Sequence, residues 1–153
     1  MVSNPELIGL LVGAGSVGKH HARVMSRRYH QLIVVDPSST VEAWMKENLK
    51  PGDVYYNNLD SAVSAIGDRA ENVTAVIANL APDHCSTFHR LADCGIRKIV
   101  CEKPMSDSIA LATQMSDRAK SDGIHLTVGF PRRFTLAASH VNAAASENLN
   151  GPP

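Results

Sequence analysis

The chain has 153 residues, 44% of them hydrophobic and 20% charged, with 15 basic side chains against 15 acidic ones. That length suits one domain with a real core, and the balance of charge excludes the pull towards nucleic acid or anionic lipid that a strongly basic protein exerts, leaving a small neutral partner. Cys85, Cys94 and Cys101, an odd number with no C-x-x-C spacing, fit neither a disulfide framework nor a structural zinc site and point to a reducing cytoplasm.

The chain begins "MVSNPE" and then runs apolar. No basic residue precedes that run, so it does not read as a signal peptide, and it is far too short to span a bilayer. It is expected to be the first strand, at 7–12. Directly after it comes "GAGSVGKHHARVM", with Gly13, Gly15 and Gly18 in G-x-G-x-x-G spacing ahead of a helix expected at 16–29. Gly13 permits a tight turn, Gly15 lets the backbone approach a pyrophosphate and Gly18 lets the helix pack on the sheet. At the helix start, Ser16 and Val17 offer free N–H groups and the positive end of the dipole.

The second strand, 31–35, ends at Asp36, which stands 21 residues after Gly15. A carboxylate there can accept hydrogen bonds from the hydroxyls of an adenosine ribose. It would repel a 2′-phosphate, and "DPSST" sets no arginine beside it, so NAD is expected over NADP. Arg27, Arg28, Ser38 and Ser39 leave NADP open.

Further along, strands are expected at 53–56, 73–78, 97–101 and 125–129, and helices at 41–49, 60–67, 83–94 and 107–122. Gly95 and Gly123 are placed to close the last two helices. The alternation of β-branched runs with helical patterns predicts an α/β fold, a doubly wound parallel (Rossmann) sheet of about six strands in the order 3-2-1-4-5-6. Ligands of such sheets sit over the carboxyl ends of the strands. Lys103 falls on that face, in "IVCEKPMS", where an ammonium can polarise a substrate oxygen or share its proton. The plainer reading is a surface ion pair with Glu102. From Thr135 the sequence turns to Ala, Ser and Asn and reads as a frayed helix and tail.

The histidines do not suggest a metal site: His20 and His21 are adjacent, and His84 and His89 lie five apart, which spreads each pair around its helix. Cys101 reads as a packing residue, because a carboxylate neighbour disfavours the thiolate.

Taken together, "GLLVGAGSVGKHHARVM", Asp36, "ANLAPDH", "CGIRKIVCEKPMS" and "VGFPRRF" resemble the N-terminal domain of the Gfo/Idh/MocA family, the glucose-fructose oxidoreductases and inositol dehydrogenases. The resemblance covers about residues 7–134. It implies that Lys103 is catalytic, assisting proton transfer beside the nicotinamide, that Glu102 orients it and that Pro104 fixes its turn. It adds Leu80, Ala81, Pro82, Glu102 and Lys103 to the cofactor contacts, and maps further family positions to His21, Arg132, Arg133 and Phe134. A packed role suits His21 better than a catalytic one. The chain departs from the pattern where Ala81 precedes Pro82 in place of threonine, and where Ser86 stands at a histidine position, two residues from His84.

The expected organisation is a dinucleotide-binding domain at 1–130 and a linker or tail at 131–153, with the family's second, substrate-binding domain absent. The function implied is the cofactor domain of an NAD(P)-dependent oxidoreductase acting on a sugar, cyclitol or related polyol. Its missing wall would come from another polypeptide or a homo-oligomer. The alternative is a non-catalytic dinucleotide sensor or scaffold module.

Overall fold

A computed structural model describes residues 6–130. The expectations for Arg132, Arg133, Phe134 and the tail lie outside the described residues. Six strands form one parallel sheet: β1 (Ile8–Val12), β2 (Gln31–Val35), β3 (Val54–Tyr56), β4 (Val73–Ile77), β5 (Lys98–Glu102) and β6 (His125–Gly129). Their order is β3-β2-β1-β4-β5-β6, the doubly wound arrangement expected. The helices α1 (Ser16–Arg28), α2 (Thr40–Asn48), α3 (Leu59–Ile66), α4 (His84–Asp93) and α5 (Ile109–Ser121) cross between them.

Side chains alternate across each strand. In β1, Ile8, Leu10 and Val12 join Phe88, Leu91 and Met115 in the core beneath α3, α4 and α5. Leu11 points the other way, to Ala22, Met25 and Met45 beneath α1 and α2. Every residue of β1 is buried, as a central parallel strand covered on both faces requires. The outer strand β3 is only half-buried and three residues long.

Both predicted glycine stops form. After α4, Gly95 has φ +83°, its N–H donates to the Ala92 carbonyl at 3.0 Å, and the Ile96 N–H donates to the Leu91 carbonyl at 3.1 Å. After α5, Gly123 has φ +65° and the Ile124 N–H donates to the Ala119 carbonyl at 2.8 Å. This paired closure needs a left-handed residue, which glycine supplies without steric cost. It also buries Ile96 and Ile124, turning the chain into β5 and β6. The helix expected from residue 83 starts one residue later, after a 3-10 turn at Ala81–Asp83. The one expected from 107 starts at Ile109, because Ser108 is extended.

Candidate functional site

The glycine loop joins β1 to α1 where β1 and β4 lie side by side at the switch in strand order. Gly13 has φ +92°, and a Cβ there would overlap the backbone of Ala78 and Asn79, with the Asn79 Cα 2.5 Å away. A Cβ on Gly18 would collide with the Gly13 carbonyl. Those two glycines are thus required by the protein's own packing. Gly15 differs: its φ is −63°, and a Cβ would meet nothing within 4 Å. The space above Gly15 is open. No side chain caps α1 and no acidic residue occupies its first turn, so the N–H groups of Ser16, Val17 and Gly18 are available to an anion.

Asp36 follows β2, and its carboxylate accepts from the Ala14 N–H at 2.7 Å and from the Ser38 N–H at 2.9 Å. Its carbonyl accepts from the Tyr55 hydroxyl at 2.8 Å, which ties β3 to the same corner. Burial, with Asp36 and Glu42 adding to it, raises the Tyr55 phenol above its usual range. The glycine loop and the acidic residue therefore form one hydrogen-bonded unit.

A cavity of about 530 Å³ opens over this unit, lined by Gly13, Gly15, Asp36, Asn58, Leu80 and Ser86 among others. It brings together Gly13, Gly15, Asp36 and Leu80 of the expected cofactor contacts. Ser16, Val17, Gly18, Ala81, Pro82, Glu102 and Lys103 do not line it. Leu80 is 73% exposed on its rim. Asn79 donates from Nδ2 to the Thr87 hydroxyl at 2.9 Å.

Lys103 emerges from the carboxyl end of β5 and is exposed; the Lys103–Pro104 bond is cis. The plainer reading, a side-chain ion pair of Glu102 with Lys103, is not what forms. Glu102 Oε1 lies 2.7 Å from His21 Nε2, an ion pair when the ring is protonated, and Glu102 Oε2 accepts the backbone N–H of Lys103 at 3.2 Å. Among the described residues Lys103 makes no salt bridge. His21, read from sequence as packing, is a partner of the E-K-P element. Gly129, opposite Glu102 on β6, leaves the room this carboxylate uses: a Cβ there would stand 3.3 Å from Oε1.

Cys101 is fully buried, and burial, with Glu102 adding to it, pushes its thiol up to about 12. That fits packing. Among the described residues, no three His, Cys, Asp or Glu side chains are placed to hold a metal ion, and no helix is long and apolar enough to cross a membrane.

Residues 9–130 match a family described as "Oxidoreductase family, NAD-binding Rossmann fold". The chain is 27% identical over 148 residues to a glucose-6-phosphate 3-dehydrogenase of Bacillus subtilis, covering 92% of this chain and 37% of that protein. It is 30% identical over 152 residues to an inositol 2-dehydrogenase of Acidothermus cellulolyticus, covering 94% and 41%. It spans about two fifths of the length of these relatives. Its fold is shared with scyllo-inositol dehydrogenase from Lactobacillus casei, solved with bound NAD(H) and scyllo-inositol, at a TM-score of 0.74 and 17% identity over 95% of this chain and 42% of that one.

Proposed function

This chain belongs to the Gfo/Idh/MocA oxidoreductase family with its NAD-binding Rossmann fold, and from that premise we propose that residues 1–130 form the NAD(H)-binding domain of a dehydrogenase acting on a sugar, cyclitol or related polyol. The observation that carries the reading is the contrast among the three loop glycines. Gly13 and Gly18 are filled by the protein itself, whereas Gly15 borders open space at the mouth of the cavity. A loop built only to turn the chain has no need of that third glycine. A pyrophosphate approaching the backbone does.

The residues present fit the cofactor. The N–H groups of Ser16, Val17 and Gly18 would hold the pyrophosphate at the start of α1. The Asp36 carboxylate, already oriented by Ala14 and Ser38, would take the ribose hydroxyls through its remaining lone pairs. Leu80, Ala81 and Pro82 would lie along the nicotinamide half, with Glu102 and Lys103 beyond them. Asp36 favours NAD, since a second negative group beside it is repelled.

When bound, the nicotinamide supplies the acceptor or donor of a hydride. Lys103 would do the acid–base work. In its neutral form Nζ takes the proton of the substrate hydroxyl as the carbon gives up its hydride, and in the reverse direction the ammonium returns that proton to the carbonyl oxygen. Glu102, held by His21, fixes the backbone N–H of Lys103 and so the base of its side chain. The names of the relatives, a glucose-6-phosphate 3-dehydrogenase and an inositol 2-dehydrogenase, support a polyhydroxylated substrate. The relatives are dehydrogenases, and nothing among them favours the non-catalytic module. The rest of the substrate pocket would come from elsewhere in the assembled enzyme.

The test is a titration of the chain with NADH and, separately, NADPH, followed by nicotinamide fluorescence. Saturable binding with NADH preferred is the expected outcome. Failure to bind either would overturn the cofactor assignment.

A further inference from the structure

We infer that His84 is a positioning residue that ties the cofactor-side loop after β4 to the turn carrying Lys103; this rests on the dinucleotide-binding reading above. His84 opens α4 and is only 2% exposed. Its Nε2 lies 3.1 Å from the Asn79 carbonyl oxygen, and its Nδ1 lies 3.0 Å from the Pro104 carbonyl oxygen and 3.3 Å from Cys101 Sγ. Asn79 belongs to the wall of the cavity, and Pro104 directly follows Lys103.

Among the described residues, His84 is the one side chain within hydrogen-bond distance of both loops. Neutral imidazole has one donor and one acceptor nitrogen. One tautomer engages the ring on both sides: with the proton on Nε2 it donates to the Asn79 carbonyl while Nδ1 accepts from the thiol of Cys101, two residues before Lys103; with the proton on Nδ1 the ring donates to the Pro104 carbonyl and the Asn79 carbonyl loses its donor. A leucine of similar volume would fill the same space without the penalty of burying a polar ring. What the imidazole adds is a rigid, directional link between the loop after β4 and the end of β5.

Its position gives the link a consequence. The loop after β4 has to accommodate the cofactor, and the turn after β5 has to present the lysine. Moving the Asn79 carbonyl draws on the same ring that accepts from Cys101 and lies against the Pro104 carbonyl. Cofactor occupancy and the placement of Lys103 are thereby coupled through one buried side chain. The family resemblance expects a histidine at position 86, where Ser86 stands exposed; the imidazole that reaches both loops is the one at 84.

The experiment is a titration of the isotopically labelled chain with NADH, followed in proton–nitrogen NMR spectra. The amides of Gly13, Gly15 and Asp36 report binding itself; the His84 ring nitrogens and the Met105 amide report the coupling. All are expected to move together in the unaltered chain. In His84→Leu the loop amides should still move while Met105 stops responding, with NADH affinity about tenfold weaker, the scale of one lost hydrogen bond. His84→Gln, which keeps a donor, should recover part of the Met105 response.

A Met105 response in His84→Leu equal to that of the unaltered chain overturns the inference. So do His84 ring nitrogens that stay still while Gly13, Gly15 and Asp36 move, a result that needs no variant to fold. Silence at Gly13, Gly15 and Asp36 in the unaltered chain overturns the dinucleotide reading itself, and this inference with it.

Discussion

Asp36→Ala should weaken NADH binding and narrow its margin over NADPH at the same time. The carboxylate offers charge-assisted hydrogen bonds to a ribose and repels a phosphate, so NADH affinity should fall at least about tenfold while NADPH binds no worse. An equal loss for both cofactors in a fluorescence titration would mean that Asp36 acts only by bracing Ala14. Lys103→Ala should do the opposite: leave NADH affinity nearly unchanged and lower turnover of the assembled enzyme by about a hundredfold or more. Equal loss of binding and turnover would count against a chemical role. Cys101 carries a pH dependence. Its thiol is raised from 9.0 to about 12 in the folded chain, so above pH 9.0 the unfolded chain loses this proton first. Stability contributed by the neutral thiol is therefore intact below 9.0 and lost as pH rises towards about 12. Denaturant melts of Cys101→Ala should show a shallower decline over that window. The residues legible in sequence were those whose task is local: Gly13, Gly15, Gly18 and Asp36 declare themselves by spacing along one β-α-β unit. The His21–Glu102 pair spans 81 positions, and His84 meets its partners only because β4 and β5 lie adjacent. Spacing along the chain carries no trace of either.

At the scale of the element, the junction of β1 with α1 separates folding from binding. Gly15→Ala keeps an allowed backbone and meets open space, so its melting temperature should stay close to that of the unaltered chain while NADH affinity falls. Gly18→Ala drives a methyl into the Gly13 carbonyl, and overpacking of that kind costs about 1–3 kcal/mol, so the melt itself should shift. If the two variants melt alike, the loop is not divided in this way. Strands and helices were legible because β-branched runs and glycine stops are properties of short stretches, and the ends of α4 and α5 follow from Gly95 and Gly123 alone. The starts of α4 and α5 were less so. A 3-10 turn at Ala81–Asp83 and an extended Ser108 precede them, and helix starts shift by one or two residues with such details of the first turn.

For the whole molecule, strand order followed from the doubly wound dinucleotide-binding arrangement once two βαβαβ halves were recognised. Which side chains share a cavity did not, because that depends on how the sheet twists and where each loop leans. Leu80, Ile109 and Phe130 are 73%, 88% and 51% exposed, all on segments that leave the carboxyl ends of β4, β5 and β6. Exposed apolar surface of this kind favours association, so the 153-residue chain should sediment as a mixture of species at high concentration. A single monomer across the concentration range would argue against it. The strand order has one more consequence. The residues proposed to choose between NAD and NADP come from the half of the chain that builds β1, β2 and β3, whereas those proposed to handle the substrate come from the half that builds β4, β5 and β6. Their strands pair along β1 and β4, and the stretch joining them in sequence, Gly67–Asn72, has no buried residue. A gene recombined within that stretch would exchange cofactor preference between relatives and leave the lysine with its original owner, the His21–Glu102 pair being among the contacts that must be rematched across the seam, which makes this fold divisible by inheritance as well as by geometry.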